Sequence, residues 1–133
     1  MTERREPPVS DETVDFWDAT RDQRFVLPWC TGCERAIWYP RLTCPQCLGR
    51  AIEWRPASGE GTVYACSVHW QPGAGRAADD GPYVVALVDL AEGVRMMSNV
   101  VGCAVESVEV GMAVHVDWEP LSDGRHLPVF RPV

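Results

Sequence analysis

The chain has 133 residues, 46% of them apolar and 23% charged, which is enough for one small globular unit with a hydrophobic core and excludes a chain that is disordered throughout. Its 19 acidic side chains outnumber the 12 basic ones, which gives a formal net charge of −7. This acidity disfavours a nucleic-acid-binding protein, because the phosphate backbone would be repelled unless a local basic stripe existed.

The first part of the chain, residues 1–24, is predicted to form an arm and a short helix. Its start, MTERREPPVSDE, is unlike a signal peptide, and no apolar run approaches the ~20 residues of a membrane span. We therefore expect a cytoplasmic protein with no membrane segment. A helix is predicted over residues 11–21 with Ser10 as its N-cap. Because it is too short to be stable alone, Phe16 and Trp17 must dock on the rest of the chain or on a partner.

The second part, residues 25–55, is predicted to form a metal-binding ribbon around CTGCERAIWYPRLTCPQC. Two Cys-x-x-Cys pairs, ten residues apart, supply four thiolates for one tetrahedral metal ion. Reduced cytosolic thiols favour a metal over a disulfide, and a redox role would need a thioredoxin-like βαβ context that the sequence does not show. Zinc is the expected ion, and iron in a rubredoxin-like site is the alternative. The predicted ligands are Cys30, Cys33, Cys44 and Cys47.

The third part, residues 56–133, is predicted to be β-structure. Alternating or continuous apolar runs, bounded by glycine and proline, predict five strands over 61–70, 82–90, 94–101, 112–120 and 126–132, with a long loop over 71–81. Five short strands suit a small closed barrel of the OB type, so the chain is expected to be mainly β. The continuous run VVALV should have its outward face covered by the helix, the ribbon or another chain.

The sequence shows no convincing catalytic constellation. His69, at the end of a predicted strand, has no serine, free cysteine or paired carboxylate that stands out as its companion. Four thiolates also fill a tetrahedral zinc ion and leave no position for water or substrate. We therefore expect no catalytic residue in this chain and a metal that organises the ribbon.

The order of these parts resembles a known family over nearly the whole chain. A helix with DFW precedes the two cysteine pairs, followed by GEGTVYACSVHW, PYVVALVDLAEGVRMMSNVVGC, VEVGMAVHVDWEP and LPVFRP. This combination is similar to the acyl-CoA-associated zinc-ribbon and OB-fold family catalogued as domain of unknown function 35. The family usually has glycine after the first cysteine pair and two prolines before the second. Here Glu34 and the tripeptide YPR stand at those places, while all four cysteine positions match.

The resemblance implies an accessory subunit with a structural zinc. Related proteins associate with thiolase-fold enzymes, including thiolases, acyltransferases and lipid-transfer-protein-like aldolases of steroid side-chain breakdown, and the partner supplies the catalytic residues. The implied assembly is a hetero-oligomer, perhaps of two plus two subunits by analogy with dimeric thiolases, that shares a coenzyme A thioester as ligand.

The predicted contact surface for such a partner lies on the helix and the ribbon. Aromatic side chains and arginine forks are frequent interface anchors, and arginine also binds phosphates. The residues predicted to meet the partner or coenzyme A are Phe16, Trp17, Trp38, Tyr39, Arg35 and Arg41. Two alternatives stay open: the aromatic residues could pack between ribbon and barrel instead, and the chain could be a nucleic-acid-binding module with aromatic platforms.

Overall fold

The computed structural model describes residues 6–71 and 81–133. The first five residues of the predicted arm and most of the predicted loop over 71–81 lie outside this range. The elements in chain order are α1 (Val14–Arg21), β1 (Val26–Cys30), β2 (Arg35–Ala36), β3 (Ile52–Pro56), β4 (Glu60–His69), β5 (Tyr83–Leu90), β6 (Arg95–Val100), a 3₁₀ turn (Val105–Ser107), β7 (Ala113–Pro120) and β8 (His126–Pro132). None of the described helices is long and apolar enough to cross a membrane.

Helix α1 begins later than the sequence predicts. Residues 11–13 form a turn in which the Thr13 N–H donates to the Ser10 carbonyl oxygen at 3.0 Å and the Thr13 hydroxyl accepts from the Ser10 N–H at 3.0 Å. The residue at the N-cap position is therefore Thr13, and its side chain makes no capping bond to the helix. The prediction of Ser10 as the N-cap is wrong, because the two residues use their polar groups on each other.

The ribbon consists of a three-stranded antiparallel sheet in the order β2-β1-β3. Strand β1 pairs with β2 at Cys30↔Arg35 and with β3 along its whole length, from Val26↔Pro56 to Cys30↔Ile52. This pairing fixes Cys30 at the end of the central strand. The turns before β2 and before β3 then carry the other three cysteines.

The last five strands form a closed barrel in the order β4-β5-β6-β8-β7. Strand β5 buries every second residue, from Val84 to Leu90, as expected for one face toward the barrel interior. Among the described strands, β6 and β8 form the parallel pair, through Val100↔Phe130, and the other barrel pairs are antiparallel. The predicted fold class, mainly β with an N-terminal helix, a ribbon and a five-stranded barrel, is confirmed.

The helix, the ribbon and the barrel share one hydrophobic core. Phe25 lies at the junction, with its ring centroid 6.4 Å from Phe16, 6.2 Å from Trp118 and 6.5 Å from Phe130, all in edge-on contact. Phe130 and Leu27 are fully buried in the same cluster. The helix is therefore held against the barrel and the ribbon, which compensates for its short length.

Candidate functional site

The four predicted ligands meet in one cluster on the ribbon. All four sulfur atoms lie within 4.8 Å of one another. The Cys30 and Cys47 sulfurs are 3.7 Å apart, and those of Cys33 and Cys44 are 4.0 Å apart. A zinc ion with four sulfur ligands at about 2.3 Å has sulfur–sulfur edges of about 3.8 Å, so the cluster already has the dimensions of a tetrahedral site.

Backbone N–H groups point at three of these sulfurs. The amides of Cys33, Gln46 and Gly49 each lie 3.4 Å from a sulfur, of Cys30, Cys44 and Cys47 respectively. Such donors stabilise thiolates and orient the ligands around a metal ion. Backbone hydrogen bonds from Cys47 and Gln46 lower the pKa of Cys44 to about 7, whereas hydrogen bonding to the Cys47 sulfur and burial raise the pKa of Cys33 to about 12. Four crowded thiols thus share their negative charge unequally, and a divalent cation stabilises the fully deprotonated set.

The residue after each cysteine pair adopts a left-handed backbone. Glu34 has φ +52° and Leu48 has φ +61°. Glycine is favoured in this region because it has no Cβ, which gives a physical reason for the glycine that the family usually has at the position of Glu34. In this chain the Glu34 carboxylate instead accepts a hydrogen bond from Arg55 at 3.0 Å. The departure from the family pattern therefore leaves the sulfur cluster intact.

Four of the six predicted contact residues line one cavity, which we call the aromatic groove. It has a volume of about 450 Å³ and lies between α1, residues 38–40 of the ribbon and the outer side of β5, β6 and β8. The rings follow one another along its wall in edge-on contact: Phe16 is 5.1 Å from Trp17 and 5.2 Å from Trp38, and Trp38 is 5.6 Å from Tyr39. The sequence placed these residues at a surface, and the structure brings them together there.

The four aromatic residues differ in exposure. Phe16 and Trp17 are 3% and 8% exposed and belong to the core, whereas Tyr39 is 56% exposed at the rim. Trp38 is half-buried between them. Packing between ribbon and barrel, the alternative considered above, therefore describes Phe16 and Trp17. Of the four aromatic residues, Tyr39 offers the largest surface to a partner.

The two predicted arginines lie apart from the groove. Arg35 borders a second cavity of about 430 Å³, between the ribbon and the turn that joins β5 to β6. Arg41 lies on the surface beside Glu12 and Leu42. Neither forms an ion pair with any residue that the structure describes, whereas Arg55 pairs with Glu34 and Glu53. Residues 25–55 carry four arginines and two glutamates, a net charge of +2 in a chain of −7. The ribbon is thus locally basic.

Sequence reasoning missed two features of these cavities. Buried Trp29 Nε1 and Glu92 Oε1 both border the second cavity without a hydrogen-bond partner among the described residues. They are far apart in sequence, so no local pattern could have paired them. The barrel wall of the groove, with Val85 and Met97, was also missed. Its signal was the run VVALV, whose outward residue Val85 is half-buried against the groove.

Comparison with known proteins gives concordant matches. A family model described as "ChsH2, rubredoxin-like zinc ribbon domain" matches residues 17–53, and one described as "ChsH2, C-terminal OB-fold domain" matches residues 54–119. The chain is 35% identical over 108 residues to a "DUF35 domain-containing scaffold protein" of Methanothermobacter thermautotrophicus, covering 79% of this chain and 80% of that protein. The ribbon match includes all four cysteines and supports a structural zinc.

Two further relatives carry enzyme names. A "Probable enoyl-CoA hydratase alpha subunit" of Thermomonospora curvata is 36% identical over 129 residues, covering 97% of this chain. The chain spans only 40% of the length of that relative. A solved structure titled "Ltp2-ChsH2(DUF35) aldolase" superposes with a TM-score of 0.84 at 35% identity, covering 96% of this chain and 98% of the matched chain.

Proposed function

Because the chain belongs to the DUF35 family of zinc-ribbon and OB-fold proteins, we propose that it is a non-catalytic accessory subunit of a thiolase-fold or lipid-transfer-protein-like enzyme acting on acyl-CoA. It supports assembly of the complex and binding of the thioester. The assembly is a cytoplasmic hetero-oligomer, and two plus two subunits is the stoichiometry to test. The division of labour follows the predicted parts: arm and helix (1–24), ribbon (25–55) and barrel (56–133).

The observation that carries this proposal is the exposed face of the ribbon. Tyr39, Leu42 and Leu48 are 56%, 50% and 73% exposed, on a single loop of 11 residues that also carries Arg41 and Arg50. Large apolar side chains beside unpaired arginines are typical of protein interfaces, where aromatic residues and arginine are enriched. A solitary small domain gains nothing from exposing them.

The metal centre supports an accessory role rather than a catalytic one. Four cysteine sulfurs at tetrahedral spacing complete the coordination of a zinc ion, so no position remains for a substrate. The ion then contributes the free energy that holds the ribbon loop in place. The relative whose title names an Ltp2-ChsH2(DUF35) aldolase is a complex of this kind, which supports a partner enzyme for the present chain.

The locally basic ribbon supports a contribution to thioester binding. Arg35 and Arg41 have no ion pair among the described residues, so their guanidinium groups are available to phosphates of coenzyme A or to carboxylates of the partner. In a chain of net charge −7, a concentration of free arginines on one module favours an anionic ligand there over any other face.

Co-expression with thiolase-fold or lipid-transfer-protein-like subunits encoded beside this chain tests the proposal. The wild-type chain should co-purify with one of them as a defined hetero-oligomer. The double variant Tyr39→Ala, Leu42→Ala should weaken association by about 30-fold or more, the effect of losing about 2 kcal/mol at anchor residues. Val110→Ala, a change at a barrel residue that is 67% exposed, is the matched control and should bind normally. Failure of the wild-type chain to bind any of these subunits would refute the proposal.

A further inference from the structure

The aromatic groove has the size and walls of a ligand pocket. Its volume of about 450 Å³ falls within the range of small-molecule sites, about 300–1,000 Å³. Phe16 and Trp17 form its floor on the helix side, Trp38 and Tyr39 its ribbon side, and Val85 and Met97 its barrel side. The floor is buried and the rim is open, since Tyr39 is 56% and Met97 67% exposed.

The walls select an uncharged occupant. No carboxylate, guanidinium or imidazole group lines the groove within the described part of the chain, although 23% of all residues are charged. The polar side chains of the lining are already engaged: Ser98 Oγ donates to the Pro128 carbonyl oxygen at 2.9 Å, and Asn99 Nδ2 donates to the Val84 carbonyl oxygen at 2.8 Å. A phosphate placed here would lose its hydration without gaining partners, so hydrocarbon is the chemistry that fits.

The groove lies over the parallel seam of the barrel. Strands β6 and β8 pair at Val100↔Phe130, and at the level of Ser98 the strands are joined by the side-chain bond to Pro128, a residue with no backbone N–H. Met96, which is 5% exposed and belongs to the barrel core, reaches the groove through this part of the wall. Methionine side chains adapt their shape, so Met96 and Met97 can accommodate ring systems or branched chains of different outline.

We propose that the aromatic groove binds the uncharged hydrocarbon body of a thioester ligand, a polycyclic or branched acyl group, and leaves the phosphates of coenzyme A outside. The origin of this ligand rests on the proposed function, since the partner enzyme acts on the thioester. A small ligand is favoured over a partner segment because a stable protein interface buries about 800 Å² per partner, far more than the floor of this groove offers. Leu42 and Leu48, on the exposed ribbon face, do not line the groove, so the two surfaces share only Tyr39.

The proposal is tested on the isolated, zinc-loaded chain with three probes: progesterone as a neutral polycyclic ligand, 1-dodecanol as a neutral chain, and coenzyme A without an acyl group. At least one neutral probe should bind at micromolar concentration, change the fluorescence of Trp17 and Trp38, and shift the methyl resonances of Met96 and Met97. Coenzyme A alone should leave these signals unchanged. Val85→Glu should weaken binding of the neutral probe by at least tenfold, because a carboxylate would enter an uncharged wall. Val110→Glu, on the exposed barrel surface, is the control.

The outcomes separate this proposal from the proposed function. Probe binding that is lost in Val85→Glu but kept in the control supports the groove as a hydrocarbon site, even if no partner enzyme is found. Absence of binding by both neutral probes, or an equal response of the Met96 and Met97 methyl groups to free coenzyme A, overturns it. Perturbation of these methyl groups by the partner protein and by no small probe would show that a partner side chain fills the groove, and would also overturn it. Circular dichroism checks that Val85→Glu remains folded, and Met97→Glu at the open rim replaces it if it does not.

Discussion

Replacement of Trp17 by alanine distinguishes a core residue from a partner anchor. The Trp17 side chain is 8% exposed, its ring centroid lies 5.1 Å from that of Phe16, and the Arg125 guanidinium lies 5.0 Å from it. Removal of a buried tryptophan costs about 3–5 kcal/mol, through lost transfer free energy and the cavity that remains. Arg125 keeps its hydrogen bonds to Asp123 and to the Pro7 carbonyl oxygen, so the change adds no unpaired charge.

Urea unfolding of the zinc-saturated chain, followed by far-ultraviolet circular dichroism, measures this cost. With a denaturant dependence of about 1–3 kcal/mol/M, the midpoint should fall by about 1–3 M. Tyr39→Ala is the matched comparison: its side chain is 56% exposed, so the midpoint should change little while partner association weakens. An unchanged midpoint in Trp17→Ala, together with lost association, would refute the assignment of Trp17 to the core and would make it an interface anchor.

Two further changes probe the metal centre and the arm. Cys44→Ser should lower the zinc content from about one per chain to none and unfold the ribbon, with less damage to the barrel, as judged by elemental analysis and by amide exchange; a metal-free wild-type chain with an ordered ribbon would contradict this. The backbone N–H and hydroxyl of Ser122 bond the Glu6 carboxylate at 2.6 and 2.7 Å and lower its pKa below the usual 4.5. Because the folded pKa is the lower one, the contact is intact at neutral pH and is lost as the pH falls through that lowered value. The Ser122 amide resonance should report this titration and should not titrate there in Glu6→Gln, whereas a midpoint at or above 4.5 would be inconsistent with the bond.

The barrel could be predicted closely because its signals are local. Alternation with a period of two and glycine or proline at the turns placed the strand over 112–120, and the structure has Ala113–Pro120. The cysteine cluster was equally accessible, because the Cys-x-x-Cys spacing alone directs two sulfurs of each pair inward. What the spacing could not supply was the left-handed backbone at Glu34 and Leu48, where neither residue type advertises a positive φ.

The burial of α1 was harder to predict because its buried stripe is partly polar. Thr13, Phe16, Trp17 and Thr20 are all buried and follow the i, i+3, i+4, i+7 spacing of a core-facing helix. A count of apolar residues finds only the two aromatic members, which read as an exposed pair seeking a partner. The threonines can be buried because their hydroxyls are satisfied nearby: Thr20 Oγ1 donates to the Trp17 carbonyl oxygen at 2.6 Å, and Thr13 Oγ1 accepts from the Ser10 N–H.

The metal centre and the aromatic groove are linked through the ribbon loop. Cys33 and Cys44 bracket ten residues that include Trp38 and Tyr39, the ribbon wall of the groove, and a metal ion that joins the two cysteines closes this loop. The contact between Phe16 and Trp38 then connects the closed loop to the helix. A zinc ion with no open position can therefore govern ligand binding through geometry alone. It fixes where Trp38 and Tyr39 stand relative to the barrel, and so determines whether the groove exists as a cavity.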